Sequence, residues 1–278
     1  MRKRYGQNFL INPDARRILL DALEIQRGQE IWEIGPGIGA MTAGLLERGA
    51  RVTAFEIDPG FIQILNELFG ADKNFSLTAG DVLKTWPQKT ATGAVVPGLL
   101  GNLPYNIASV LLADFIRKKQ FFSRMAVTVQ LETARRLTAK PGTADFSSLT
   151  VLCSMFYKIT PLVVLKGQSF YPEPRVNSQA LRFDLLPNPK TPPVIFYPML
   201  RSLFVSRRKT LQNNLVNFVS SVIIKEGAAA SEVTALVFKR TGISGGRRAE
   251  TLDNNEFILL AEVLEELTKS GNNSAPGI

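Results

Sequence analysis

The chain contains no histidine and a single cysteine, Cys153, in 278 residues. One cysteine excludes an internal disulfide, and without histidine beside it the usual zinc and iron–sulfur ligand sets fall away. A histidine general base is impossible, so any proton transfer near neutrality must use other groups. Long apolar runs are absent as well. None approaches a membrane span, and the basic start Met1-Arg2-Lys3-Arg4 leads into polar residues rather than the apolar core of a signal peptide. A cytoplasmic protein with no metal and no membrane partner is expected.

Acidic residues are in the minority. Against 24 Asp and Glu stand 33 Lys and Arg, a net charge of +9 that favours a polyanionic partner through counterion release. A solvated basic face gives the same balance, so charge alone does not name nucleic acid. Hydrophobic residues at 45% mark a folded globular chain. At roughly 150 residues per domain the length suits one large domain, or a moderate one with a smaller companion.

Helical spacing of Ile18, Leu19, Ala22 and Leu23 predicts a helix over 14–23 behind Asn12 and Pro13, and Gly6 to Leu10 reads as an N-terminal arm. From Glu30 a βα alternation sets in: strand 31–34, helix 40–47, strand 51–56, helix 59–68 and strand 75–79. Such units imply a parallel sheet. A fourth strand runs to Asn102, followed by helix 109–118, strand 125–130, a short helix 132–137, a helical segment 147–157 and strands 158–165 and 176–185. Four prolines between Leu186 and Pro193 mark a domain boundary. Beyond it only helices are expected, near 194–205, 210–221, 229–239 and 254–269, with a disordered tail from Ser270. The domains are therefore placed at 1–186 and 187–278.

Polar residues close four successive strands. The turn Glu33-Ile34-Gly35-Pro36-Gly37-Ile38-Gly39 sits where a doubly wound fold binds a nucleotide. Gly35, Gly37 and Ala40 formally satisfy the dinucleotide fingerprint, which keeps an NAD enzyme open, while Gly39 and Glu33 fit S-adenosylmethionine better. Glu56 ends the second strand, where a carboxylate accepts ribose hydroxyls, and Asp81 follows the third, placed to accept an adenine amino group. After the fourth comes Asn102-Leu103-Pro104-Tyr105. The proline holds the turn rigid, so the Asn102 oxygen and the Leu103 carbonyl can each accept one N–H of an aromatic amine while Tyr105 stacks on its ring. Further on, Phe170-Tyr171-Pro172-Glu173-Pro174-Arg175 reads as a stiff loop whose aromatic either stacks on a base or plugs a sheet edge. The basic clusters Arg207-Arg208-Lys209 and Arg247-Arg248 read equally as phosphate contacts or as solvated helix ends.

Together these stretches resemble the small-subunit ribosomal RNA adenine N6-dimethyltransferase family, whose absence gives kasugamycin resistance in bacteria. The resemblance runs from Arg4 to about Leu252. It is carried by Gln7-Asn8-Phe9-Leu10, Glu33-Ile34-Gly35-Pro36-Gly37, Glu56-Ile57-Asp58, Gly80-Asp81, Asn102-Leu103-Pro104-Tyr105, Phe170-x-Pro172-x-Pro174-x-Val176 and Phe204-x-x-Arg207-Arg208-Lys209-Thr210-Leu211. It departs at Leu131, where lysine is common, and at Glu173 and Arg175-Val176-Asn177. The resemblance implies an α/β fold, a seven-stranded Rossmann-like class I methyltransferase domain with a small all-helical C-terminal domain. It implies contacts to S-adenosylmethionine from Gln7, Asn8, Leu10, Gly35, Gly37, Glu56, Ile57, Asp81, Val82 and Asn102. Catalysis would fall to Asn102, Leu103, Tyr105 and Phe170, with Tyr105 and Phe170 holding the target adenine. Arg175, Arg207, Arg208, Lys209, Arg247 and Arg248 would meet RNA. The expected substrate is two adjacent adenosines in a hairpin loop near the 3′ end of small-subunit (16S) rRNA, in an immature 30S particle, with the enzyme monomeric and serving ribosome biogenesis. The alternatives are a large-subunit rRNA adenine N6-methyltransferase conferring antibiotic resistance, and a noncatalytic small-subunit assembly factor.

Overall fold

The structure is a computed structural model that describes residues 8–89, 95–223 and 227–272. Two compact units emerge, one from residues up to Thr138 together with Phe156–Pro187, the other from Ala139–Met155 with Asn188 onward. Among the described residues no helix is long and apolar enough to cross a membrane.

The first unit opens with β1 (Phe9–Leu10) and α1 (Pro13–Ala22). The Asn12 side chain accepts the Ala15 amide and Pro13 presets the first turn, which is why the helix starts there. The alternation follows as β2 (Glu30–Ile34), α2 (Ala40–Glu47), β3 (Arg51–Glu56), α3 (Pro59–Phe69), β4 (Phe75–Ala79), α4 (Val82–Thr85), β5 (Val95–Asn102), α5 (Ala108–Arg117), β6 (Phe121–Gln130) and α6 (Leu131–Leu137). After α7 (Ser148–Ser154), which belongs to the second unit, come β7 (Tyr157–Leu165), β8 (Phe170–Tyr171) and β9 (Ser178–Leu185).

Seven strands form one sheet in the order β4-β3-β2-β5-β6-β9-β7, parallel throughout except for β9, which is antiparallel to both β6 and β7. Chain order reverses beside β2, so the carboxyl ends of β2 and β5 flank a topological switch point. Covered on both faces, the central strands are apolar at nearly every position: Ile31, Trp32, Ile34, Val52, Phe55, Leu99, Leu100, Val127 and Val129 are all buried. Fully burying each of the larger side chains contributes about 1.5–3 kcal/mol.

The described end of the arm, Asn8 to Leu10, differs from expectation. Phe9 and Leu10 pair antiparallel with Tyr171 and Phe170 in a two-stranded ribbon, a partnership that no local pattern announces. The strand expected from Met125 begins at Phe121, and the helix expected to 157 stops at Ser154 because Tyr157 already belongs to the sheet, its hydroxyl accepting the Phe122 amide.

In the second unit the helices are α7, α8 (Phe196–Leu203), α9 (Leu211–Phe218) with a π turn at Val219–Ile223, α10 (Gly227–Thr241) and α11 (Asn254–Asn272). The expected break near residue 187 is present, but Ala139–Met155 joins this unit and corrects the single boundary. The cause is packing. Phe146 meets Phe204 at 6.1 Å between ring centroids, and Ser154 and Asn254 hydrogen-bond through their side chains. Asp253 and Glu256 form the reciprocal capping box that starts α11. The tail expected from Ser270 falls largely outside the described residues, with α11 itself reaching Asn272.

Candidate active site

A cavity of about 670 Å³ opens in the first unit at the carboxyl ends of the parallel strands. Gly35 and Gly37 after β2, Glu56 and Ile57 after β3, Asp81 and Val82 after β4, and the run from Asn102 to Ile107 after β5 all line it. Asn8 and Phe9 border it from the N-terminal arm, and Pro174, Arg175 and Val176 from the loop after β8. The four polar strand ends thus converge on one space.

Asn102 has a fixed polarity. Its Nδ2 donates to the Asn8 carbonyl at 2.6 Å, and a carbonyl only accepts, so the amide nitrogen must face Asn8 and Oδ1 is left as the acceptor. Among the described residues Oδ1 has no partner, nor has the carbonyl of the next residue, Leu103, whose own amide donates to Thr128. Two free acceptors one residue apart suit an amine with two N–H bonds. Beneath them Gly101 keeps the backbone close-packed, since a Cβ there would lie 2.7 Å from Leu103 Cδ2. Pro104 offers its carbonyl to the amides of Ile107 and Ala108, turning the chain into α5. Tyr105 is held by a 2.7 Å hydrogen bond to Ser178, a fully buried residue of β9.

The acidic groups are more constrained than the sequence suggests. Glu56 is 4% exposed and accepts three backbone amides, from Gly37 on Oε2 and from Ile57 and Asp58 on Oε1. Burial raises its pKa, and those three hydrogen bonds oppose the rise. A carboxylate offers about four lone-pair sites, so room remains for about one further donor, at Oε2. Asp81 caps α4 through Oδ1, which accepts the Leu83 amide, and leaves Oδ2 without a partner among the described residues. The glycine turn offers space rather than amides. Gly35 donates to Phe55 and Gly37 to Glu56, while Gly35, at φ +67°, has no heavy atom within 4 Å of the place a Cβ would occupy. Open space against Gly35, a spare carboxylate position at Glu56 and a second at Asp81 fit the nucleoside of S-adenosylmethionine.

Behind the turn, Glu33 is fully buried. Thr42 donates its hydroxyl to Oε2 at 2.6 Å, and Oε1 has no partner among the described residues. Burial pushes its pKa up to about 7; the Thr42 hydrogen bond opposes this and the Glu56 charge adds to it.

A family model described as ribosomal RNA adenine dimethylase matches residues 1–262. The chain belongs to the ribosomal RNA adenine dimethylase family. It is 39% identical over 275 residues to ribosomal RNA small subunit methyltransferase A of Treponema denticola, covering 96% of this chain and 90% of that one. To the protein of the same name from Treponema pallidum (strain Nichols) it is 40% identical over 271 residues, covering 96% and 92%. Among solved structures, a dimethyladenosine transferase from Plasmodium falciparum superposes with a TM-score of 0.79 at 24% identity, over 95% of this chain and 98% of that one. The 23S rRNA methyltransferase ErmE gives 0.64 at 22%, over 93% and 100%. At these identities both speak for the fold. The methyl donor of this dimethylase is S-adenosylmethionine.

Several expected site residues lie elsewhere. Phe170 is 2% exposed and packs in the hydrophobic core with Leu10, its antiparallel partner, so neither side chain lines the cavity and the Phe170 ring is not presented to a base. Gln7 lies outside the described residues. In the helical unit Arg207, Arg208 and Lys209 are exposed, with Arg207 donating to the Ala144 carbonyl at 2.7 Å. Arg247 is committed internally. It pairs with Glu256 and donates to the Thr251 carbonyl at 2.6 Å, which secures the start of α11 and corrects its assignment to RNA. Arg248 beside it is exposed. Ser178, which positions Tyr105, was not expected; 73 residues separate the two, and nothing local marks the serine.

Proposed function

We propose that this dimethylase transfers methyl groups to N6 of two adjacent adenosines in a hairpin loop near the 3′ end of small-subunit rRNA, within an immature particle. Support comes from relatives at 39% and 40% identity whose names specify the small ribosomal subunit, and from the net charge of +9. The observation that carries the chemistry is the Asn102 amide, held by the Asn8 carbonyl so that Oδ1 is an acceptor. A cytoplasmic, monomeric enzyme without a metal is the form this reading takes.

The amino nitrogen of adenine is a weak nucleophile because its lone pair is delocalised into the ring. Accepting its two N–H bonds at Asn102 Oδ1 and the Leu103 carbonyl favours a tetrahedral nitrogen with a localised lone pair. The Tyr105 ring, pinned through Ser178, offers a π face to the positive charge that develops there. S-adenosylmethionine, when bound, supplies an electrophilic methyl group. Glu56 Oε2 would hold its ribose and Asp81 Oδ2 its adenine amino group. Once methylated, the amine is cationic and acidic, so its proton passes to water and no base of matched pKa is required. Guanine presents a carbonyl oxygen in place of the amine, and two acceptors repel it. A loop adenine costs least to turn out of its stack.

Incubation with methyl-labelled S-adenosylmethionine and unmethylated small subunits, followed by mapping of the label, tests this reading. Label on two adjacent adenosines near the 3′ end supports it. Label confined to large-subunit rRNA, or binding to small subunits without transfer, overturns it in favour of one of the alternatives.

A further inference from the structure

The ribbon of β1 and β8 sorts its side chains by face. Residues directly opposite one another in an antiparallel pair project to the same side. Leu10 and Phe170 form one such pair and both sit in the hydrophobic core. Phe9 and Tyr171 form the other, and Phe9 lines the cavity, so Tyr171 projects to the cavity side of the ribbon. Yet Tyr171 is not among the lining residues. It is 62% exposed, with no partner for its hydroxyl among the described residues. Three residues on, Pro174, Arg175 and Val176 do line the cavity, so the loop that starts at Tyr171 edges the opening.

We propose that Tyr171 is a stacking platform for the nucleotide next to the target adenine. This rests on the function proposed above. The target itself belongs with Asn102, Leu103 and Tyr105 inside the cavity, and an aromatic ring at the rim, on the same side, is where the neighbouring base of an unwound loop emerges. Arg175, exposed and lining the cavity in the same loop, is suited to the intervening phosphate. An aromatic face accepts any base, and such stacks recur wherever proteins hold single-stranded nucleic acid. The buried Phe170 cannot serve.

Methylation of unmethylated small subunits by the full chain, with KM and kcat measured for Tyr171→Ala, Tyr171→Phe and Tyr171→Trp, tests the proposal. Tyr171→Ala is expected to raise KM for the subunits about 5- to 150-fold, the range of one base–aromatic stack. Tyr171→Phe and Tyr171→Trp are expected to stay near the native value. The rise in melting temperature given by S-adenosylmethionine should be the same in all four proteins, which separates a missing RNA stack from a damaged fold. An unchanged KM in Tyr171→Ala overturns the proposal, as does a Tyr171→Phe defect equal to that of alanine, which would assign the effect to the hydroxyl. If the native protein transfers no methyl to small subunits, the function itself has failed, and that outcome is distinct from either of these.

Discussion

Replacing Glu33 with glutamine should change how the stability of the sheet unit responds to pH. Burial raises the Glu33 pKa from 4.5 to about 7. Between those values the unfolded chain has lost the proton that the folded chain still holds, so stability falls as pH rises through this window and the loss is complete above about pH 7. At about 1.36 kcal/mol per pKa unit the fall amounts to about 3 kcal/mol between about pH 4.5 and about pH 8. Glu33→Gln removes this titration while its amide oxygen can still accept the Thr42 hydroxyl. The new amide nitrogen takes the place of the unpartnered Oε1 and costs about 1–3 kcal/mol at every pH. Absolute stability is therefore less informative than its slope. Trp32 and Trp86 both lie in the first unit, so urea titrations followed by tryptophan fluorescence report on that unit. The native protein should lose about 3 kcal/mol more than Glu33→Gln over this range. Glu24 and Asp184, whose pKa values are lowered by arginines, lose stability only on acidification and are common to both proteins. Parallel pH curves would refute the reasoning and show that Glu33 is ionised in the folded protein across the range.

Three further outcomes are expected. S-adenosylmethionine should raise the melting temperature of the native protein, and Glu56→Ala should reduce that shift because the spare acceptor at Oε2 is gone; thermal melts with and without the cofactor decide it. Arg208→Ala with Lys209→Ala should weaken RNA binding and flatten its log–log salt dependence by about 0.7 for each single-strand phosphate no longer neutralised, read from titrations at several salt concentrations. Arg247→Ala should instead lower the melting temperature of the helical unit and leave the salt slope intact, because its guanidinium is held by Glu256 and Thr251.

Much of the site was legible because it is built from strand ends. Gly35, Glu56, Asp81 and Asn102 each stand at or just past the end of a short strand, and a parallel sheet gathers such ends automatically, so local patterns sufficed to bring them together. Capping was legible in the same local way, since Asn12 and Pro13 stand directly before the helix they start. What could not be read was long-range. The ribbon between Phe9–Leu10 and Phe170–Tyr171 joins segments about 160 residues apart, and a two-residue strand has no period of its own, so which of the two adjacent aromatics faced inward was undetermined. The inclusion of Ala139–Met155 in the helical unit rests on contacts of Phe146 and Ser154 to distant partners, while the proline cluster signalled only the last crossing, at Pro187. Arg247 carried the composition of a phosphate contact; its partner, Glu256, lies nine residues on and also closes the capping box of α11.

The central claim is that Asn102, oriented by Asn8, accepts a hydrogen bond from the amine as it becomes cationic. Its most direct test is the single-turnover rate of methyl transfer to unmethylated small subunits by Asn102→Ala, at saturating S-adenosylmethionine and saturating subunits. A hydrogen bond to a charged group is worth about 1.5–3 kcal/mol, so the account predicts a fall of about 10- to 160-fold. A rate within about twofold of the native one would contradict it, since a hydrogen bond whose removal changes the rate so little supplied less than about 0.5 kcal/mol to the transition state.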